Sequence, residues 1–157
     1  RLAERENAPE IALGYSVAGG NRKGAEGPRG TFDDLYPDGF NGNGFLDPFA
    51  WRNLRDLSAA FEWKPVRHWR LASELHGYWL ATIQDGVYID GGVCIHLNPH
   101  AASSHLGEQF NIVAQYRRPV HWELAFGYAR LFAGPYLREA SLGVSANSAF
   151  LAWTLRL

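Results

Sequence analysis

Trp63-Lys64-Pro65-Val66-Arg67-His68-Trp69-Arg70-Leu71 is echoed by Tyr116-Arg117-Arg118-Pro119-Val120-His121-Trp122-Glu123-Leu124. In each copy an aromatic residue stands six positions before a Trp, with a basic, proline-containing turn between them, and the second copy begins 53 residues after the first. Apolar and polar residues alternate on both sides of each turn, the period of a strand with one apolar face. Each phrase therefore reads as a β-hairpin whose ends carry aromatic anchors. Long, polar, Gly-rich stretches join the hairpins at their other ends. Short turns on one side, long loops on the other and aromatics at the boundary predict an all-β fold, an antiparallel transmembrane β-barrel of the outer-membrane type.

Composition is compatible with that reading without requiring it. The 157 residues are 46% hydrophobic with a mean hydropathy of -0.25, values that a soluble domain shares. No run of about 18 apolar residues occurs, which excludes a transmembrane helix but not a barrel, whose strands face lipid with every second residue only. Aromatic residues make up 14% of the chain and include six Trp, and two membrane interfaces would give them a physical home. The single Cys94 rules out an internal disulfide and argues against a Cys-based metal site. A formal net charge of -1 argues against general nucleic-acid binding. With no Met and no charged-then-apolar leader, the expectation is a mature product or a piece of a longer chain.

Six strands follow from the alternation. Over 10–18, Ile11, Leu13, Tyr15 and Val17 oppose Ala12, Gly14, Ser16 and Ala18. Over 53–63, Leu57, Ala59, Phe61 and Trp63 oppose Asp56, Ser58, Ala60 and Glu62. Over 69–82, Trp69, Leu71, Ser73, Leu75, Gly77 and Trp79 oppose Arg70, Ala72, Glu74, His76 and Tyr78. Over 108–117, Phe110, Ile112, Ala114 and Tyr116 oppose Gln109, Asn111, Val113, Gln115 and Arg117. Over 121–132, Trp122, Leu124, Phe126 and Tyr128 are set against Glu123, Ala125, Gly127 and Arg130. Over 147–157, Leu151, Trp153, Leu155 and Leu157 oppose Phe150, Ala152, Thr154 and Arg156. Each strand has the roughly 9–12 residues that a tilted crossing needs. Putting the 64–68 and 117–121 turns in the periplasm leaves the long connections near 20–51, 83–107 and 133–146 outside. Six strands fall short of the minimum of about eight for a closed membrane barrel. The chain is therefore expected to be a single segment, the C-terminal part of a larger barrel; alternatively, residues 83–97 add a hairpin and close eight short strands.

The loops carry a family likeness. Gly14-Tyr15-Ser16-Val17-Ala18-Gly19-Gly20-Asn21 leads into Thr31-Phe32-Asp33-Asp34-Leu35-Tyr36-Pro37, then Gly44, Asp47-Pro48-Phe49 and Trp51-Arg52-Asn53-Leu54. Together with Gly127-Tyr128-Ala129-Arg130-Leu131-Phe132-Ala133-Gly134-Pro135-Tyr136-Leu137, this resembles the C-terminal region of the alginate export family of outer-membrane proteins. The resemblance implies a monomeric barrel of about 18 strands in a Gram-negative outer membrane. Such a barrel passes an anionic polysaccharide through a charged lumen and depends on the barrel-assembly machinery for insertion. It also marks Phe32, Asp33, Leu35, Tyr36, Pro37, Asp47, Trp51, Arg52 and Asn53 as the family loop motif. The stretch Gly39-Phe40-Asn41 stands where a His-containing segment is expected, and the corner at Ala18–Asn21 lacks an acid, so the cargo stays open.

A transport pore needs polar and charged side chains on its lumen face. The inward set is Arg70, Glu74, His76, Asn111, Gln115, Arg117, Glu123, Arg130 and Arg156, in which Arg outnumbers acid four to two, a mild bias toward anions. Internal salt bridges that fill a barrel would explain the same residues. Trp63, Trp69, Trp79, Tyr116, Trp122 and Trp153 are the predicted interface anchors. The oxygen-rich stretch from Asp38 to Asp47 misses the spacing of an EF-hand, so a solvated Gly/Asn turn is the simpler reading; Asp33, Asp34 and Asp47 are the acids that a loop-ordering ion would use. His96, His100 and His105 lack regular ligand spacing. No nucleophile motif or P-loop is present, so neither catalysis nor a cofactor is expected. A non-transporting membrane barrel or a soluble β-barrel that binds a ligand remains the alternative. The protein is expected to purify only in detergent; recovery as a stable soluble species without it would sink the membrane reading.

Overall fold

In a computed structural model, described for residues 8–22, 30–33, 45–89, 92–118, 122–142 and 145–155, the chain is built on one antiparallel sheet. Its strands are β1 (Glu10–Ala18), β2 (Leu54–Trp63) and β3 (Trp69–Leu80), then β6 (His105–Arg118), β7 (Trp122–Ala133) and β8 (Ala146–Leu155). They neighbour one another in that order, a plain meander. Between β3 and β6 the chain leaves the sheet for β4 (Val87–Ile89) and β5 (Val93–His96). These two pair only with each other, so the segment near 83–97 is a separate hairpin and does not extend the main sheet toward eight strands. A single-turn helix, α1 (Pro135–Glu139), follows β7 and was not foreseen from periodicity; five residues are too few to show any.

The six predicted strands agree with the observed ones to within a few residues. β6 starts at His105, earlier than expected, because a register shift after Tyr78 lets Trp79 pair with His105. The first short turn is formed by the first copy of the repeated phrase, and residues 119–121 of the second copy lie outside the described residues. In the first, the amide of Trp69 donates to the Val66 carbonyl at 3.1 Å, and His68 takes a positive φ of 77°.

Register settles which face each residue joins. In β1 and β2, Ile11 opposes Phe61, Leu13 opposes Ala59 and Tyr15 opposes Leu57. All of these but the half-buried Ala59 stay exposed, as do Leu75, Phe110, Ile112, Phe126, Leu151 and Trp153 across the rest of the sheet. The opposite face carries Asp56, His76, Tyr78, Gln109, Asn111, Val113, Ala125 and Ala129, all buried. The sheet is thus apolar where it is bare and polar where it is covered, the reverse of a soluble sheet.

The cover comes from the long connections. Phe49, Val87, Ala101, Tyr136 and Leu137 pack on Leu54, Tyr78, Leu80, Leu106 and Leu131 at the loop end of the strands. Helix α1 starts with Pro135 at its first turn, where a missing N–H costs nothing, and buries Tyr136 and Leu137 into this cluster. The hydroxyl of Tyr136 accepts from the Asn98 amide at 3.1 Å, which ties the helix to the 97–104 stretch. Lower on the polar face, Phe150 of β8 lies across Gly127 of β7. A Cβ on Gly127 would meet the Phe150 ring at 2.2 Å, so only glycine fits there.

Gly127→Ala is expected to cost about 1–3 kcal/mol through overpacking. In a Phe150→Ala background the cost should largely vanish, because the coupling is pairwise. Denaturant titration of the four proteins of the cycle reads this; equal costs in both backgrounds would refute the contact.

Candidate functional site

A ladder of polar side chains runs along the covered face, and its rungs are set by cross-strand pairing. Arg70 opposes Gln115, Glu74 opposes Asn111 and His76 opposes Gln109 between β3 and β6, while Arg117 opposes Glu123 between β6 and β7. Seven of the nine residues expected to point inward therefore do share one face. Arg70 donates to Gln115 Oε1 at 2.9 Å and to Glu62 Oε2 at 2.6 Å. Arg117 Nε donates to Glu123 Oε2 at 2.8 Å. His76 Nδ1 lies 3.1 Å from both carboxylate oxygens of Asp56, its ring stacks on Tyr78, and its Nε2 lies 3.7 Å from Glu74. The Asn111 amide donates to Glu74 at 3.3 Å. Asp56, His76, Gln109 and Asn111 are buried and each has a side-chain hydrogen-bond partner, while Arg70 and Arg117 keep much of their side chains exposed.

Arg130 does not belong to this set. Residues two apart share a face, so Arg130 lies with Trp122, Leu124, Phe126 and Tyr128, not with Glu123, Ala125 and Gly127. It is exposed near the loop end, opposite Phe110 and Asn147, and its guanidinium carbon sits 4.7 Å over the Phe132 ring. A long Arg side chain at a strand end can keep its charge in water while its stem covers apolar surface. Arg156 lies outside the described residues. On the polar face three acids join the ladder that the inward set omitted: Glu10, Asp56 and Glu62. Among the described residues, Arg70, Arg117 and His76 thus share the face with Glu10, Asp56, Glu62, Glu74 and Glu123, and the bias toward Arg is corrected to an acid-rich face on which each of the three bases is paired with an acid. The strict alternation of β2 carried the signal for Asp56 and Glu62.

Among the described residues of the family loop motif, Asn53 ties two long connections together in a knot. Asn53, fully buried and left-handed at φ 51°, donates through Nδ2 to the carbonyls of Thr82 (2.9 Å) and Gly86 (3.0 Å) and accepts from the Thr82 amide at 2.9 Å. Asn tolerates the left-handed region better than most residues. Gly20 packs against it so closely that a Cβ would meet Asn53 Oδ1 at 2.0 Å. The second half of the knot is Asp85, which no motif pointed to. Its carboxylate accepts from the Asn21 amide (2.7 Å), the Thr31 hydroxyl, the Gly86 amide (2.8 Å) and the Tyr88 hydroxyl (2.7 Å). Burial opposes its ionisation, yet these donors together hold its carboxyl below the ordinary range. Burial and the bond to Asp85 push the Tyr88 hydroxyl up to about 12, which keeps it a donor.

Arg52 pairs with Asp33 and lies against Gly92, Trp51 packs on the apolar cluster, and the Phe32 amide donates to the Gly19 carbonyl at 2.8 Å while its ring is exposed. Asp47 takes a positive φ of 40° near the start of this stretch. Asp34, Leu35, Tyr36 and Pro37 lie outside the described residues. No group of three His, Cys, Asp or Glu side chains gathers around a point where an ion would sit, among the described residues.

Five of the six aromatic anchors collect at the turn end. Trp69 and Trp122 flank Tyr116 with ring centroids 5.2 and 5.3 Å away, and Trp63 and Trp153 lie at the same end of the strands. Trp79 stands at the loop end and stacks on His105.

The knot generates a pH prediction. A carboxyl with a lowered folded value contributes stability present above its unfolded value near 4, lost as pH falls through the folded value. The protection factors of the Asn21 and Gly86 amides against hydrogen exchange should therefore fall below about pH 4 and stay flat from neutral down to that point. Asn53→Ala, which strands buried backbone groups and a left-handed backbone, should destabilise the same loops by about 2–4 kcal/mol. Unchanged protection in either experiment would overturn the assignment.

Comparison with curated proteins gives no match. The family comparison is decisive by contrast, because its match runs through the strands, the knot and helix α1 alike. Over residues 1–151 the chain matches the alginate export family, and it belongs to that family.

Proposed function

We propose that the chain is one wall segment of an outer-membrane β-barrel channel that passes anionic solutes, an alginate-like polysaccharide among them. The observation that carries this reading is the inverted sheet: exposed Ile, Leu, Phe and Trp on one face, a paired ladder of charged and amide groups on the other. Lipid accounts for the first face, and a water-filled lumen accounts for the second. The Trp and Tyr cluster marks the periplasmic interface, and the long connections lie outside. Strands β1 and β8 end the six-stranded sheet, and lipid would leave their free backbone groups unsatisfied at several kcal/mol each. Further strands of a larger barrel pair with them, and barrel-assembly machinery inserts the whole.

Family membership supplies transport as the activity class, with no catalytic step. The ladder suggests how an anion would move. Conduction needs sites strong enough to admit the solute and weak enough to release it. A guanidinium already bonded to a carboxylate, as in Arg70 with Glu62 and Arg117 with Glu123, still offers N–H donors but much less net charge. Such pre-paired arginines give a carboxylated chain a row of shallow binding steps. A second reading, a non-conducting barrel that binds a ligand at its surface, draws on the packed cap formed by the long connections.

Planar-bilayer recording of the full-length protein tests both. Anion-selective conductance blocked by polyuronate oligomers is expected, with selectivity falling in Arg70→Ala and Arg117→Ala. Stable insertion without conductance would favour the ligand-binding reading; cation-selective current indifferent to polyuronate would overturn the exporter.

A further inference from the structure

The polar face is interrupted at one place by aromatic rings. Phe150 is the fifth residue of ten in β8 and opposes Gly127, the sixth of twelve in β7, so it stands at mid-strand and far from either rim. Phe45 comes from the long connection between β1 and β2. Only nine residues later that connection is at the loop end, where Leu54 opens β2. Its ring nevertheless lies 5.2 Å from the ring of Phe150. The first long connection therefore dips from the loop end toward the middle of the polar face.

The dip is held by a dedicated anchor. Gln109 of β6 is 0% exposed, and its side-chain oxygen accepts from the backbone amides of Phe45 (3.0 Å) and Leu46 (3.2 Å) when its amide is oriented to satisfy them. The space for the dip comes from the middle of β7, where the residues on this face, Ala125, Gly127 and Ala129, are small. Two rings anchored in this way would be an ordinary core contact if they were covered. Phe45 is 43% exposed, whereas Phe150 stands on β8, the last strand of the sheet, all ten of whose residues are exposed.

On one side of this pair the wall is smooth, with Ala125 and Ala152 opposite each other. On the other side β6 sets Val113 opposite Gly127 and the half-buried amide of Gln115 opposite Ala125. A pyranose ring needs both. Its axial C–H groups present a weakly positive face that suits the negative face of an aromatic ring, while its hydroxyl and carboxylate edge needs hydrogen-bond donors and acceptors. Open aromatic faces bordered by a few fixed polar groups are the usual make-up of a small-molecule subsite.

We propose that Phe45 and Phe150 form a stacking subsite for single sugar rings of a polysaccharide chain, presented at mid-lumen by the inward-folded first connection. This deepens the channel reading and rests on it for the direction in which the polar face looks. The subsite recognises the ring, not its charge, so a neutral oligosaccharide engages the same two rings as a uronate of equal length.

The full-length protein labelled with 4-fluorophenylalanine and held in lipid nanodiscs provides the test, with Phe45→Leu and Phe150→Leu assigning the two fluorine resonances. Both resonances are expected to shift saturably with a hexauronate and with a neutral hexasaccharide. Leucine keeps the apolar wedge and removes the aromatic face, so the double Leu variant should insert normally and bind the hexauronate about tenfold more weakly, the scale of one lost stacking contact. Phe150→Trp should retain binding. Resonances that stay fixed in the presence of both sugars, or Leu variants with unchanged affinity, would reduce the pair to a structural wedge and overturn the subsite. If bilayer current proves indifferent to polyuronate while the two resonances still shift, the exporter reading fails and the subsite stands.

Discussion

Antiparallel pairing has a side-chain period of two, so a slip of one residue would move every side chain of a strand to the other face. In this chain that rule governs nearly everything else. It puts Ile11, Phe61, Leu75, Phe110, Phe126 and Leu151 on the exposed face together and assembles Arg70, Gln115, Arg117 and Glu123 on the other. A slipped strand would bury leucines among ion pairs and leave carboxylates without partners. At the turn end of the strands Trp69 and Trp122 pack on Tyr116 in tilted contacts that hold the register there.

What the register cannot supply is cover for the loop end of the polar face. The long connections provide it, and they need their own adhesive because they have little regular structure. Asn53 and Asp85 serve as that adhesive. Each gathers several hydrogen bonds from segments distant in sequence, and each is buried. A short side chain with several acceptor or donor sites is the cheapest way to satisfy loop backbone that no ladder reaches. The described part of the family loop motif is accordingly an architectural device. It holds residues 45–53 against the polar face and so brings Phe45 down beside Phe150.

Charge on the polar face follows a similar economy of pairing. Glu62 holds both Lys64 and Arg70, Glu123 holds Arg117, and Asp56 with Glu74 brackets His76. The wall is rich in ionisable groups yet largely compensated, which separates the strength of a local hydrogen-bonding site from the net field along the path.

The sequence by itself determined the strands, the turns, the two faces and the family, because all of these are written in local periodicity and in motifs only a few residues long. It also placed Arg130 on the wrong face, where strict counting by twos from Trp122 would have put it right, and it omitted Asp56 and Glu62 from the polar set although their alternation was visible. Tertiary structure alone decided the partners. Asp85 sits in a turn with no recognisable motif, and its role exists only because residues 21 and 31 are brought to it. The Phe45–Phe150 contact joins residues 105 positions apart through a loop whose path no periodicity encodes. Helix α1 is too short for a pattern and is held by Tyr136 and Leu137 packing into the apolar cluster. Local sequence fixes conformations that repeat; contacts between irregular loops depend on where the whole chain places them.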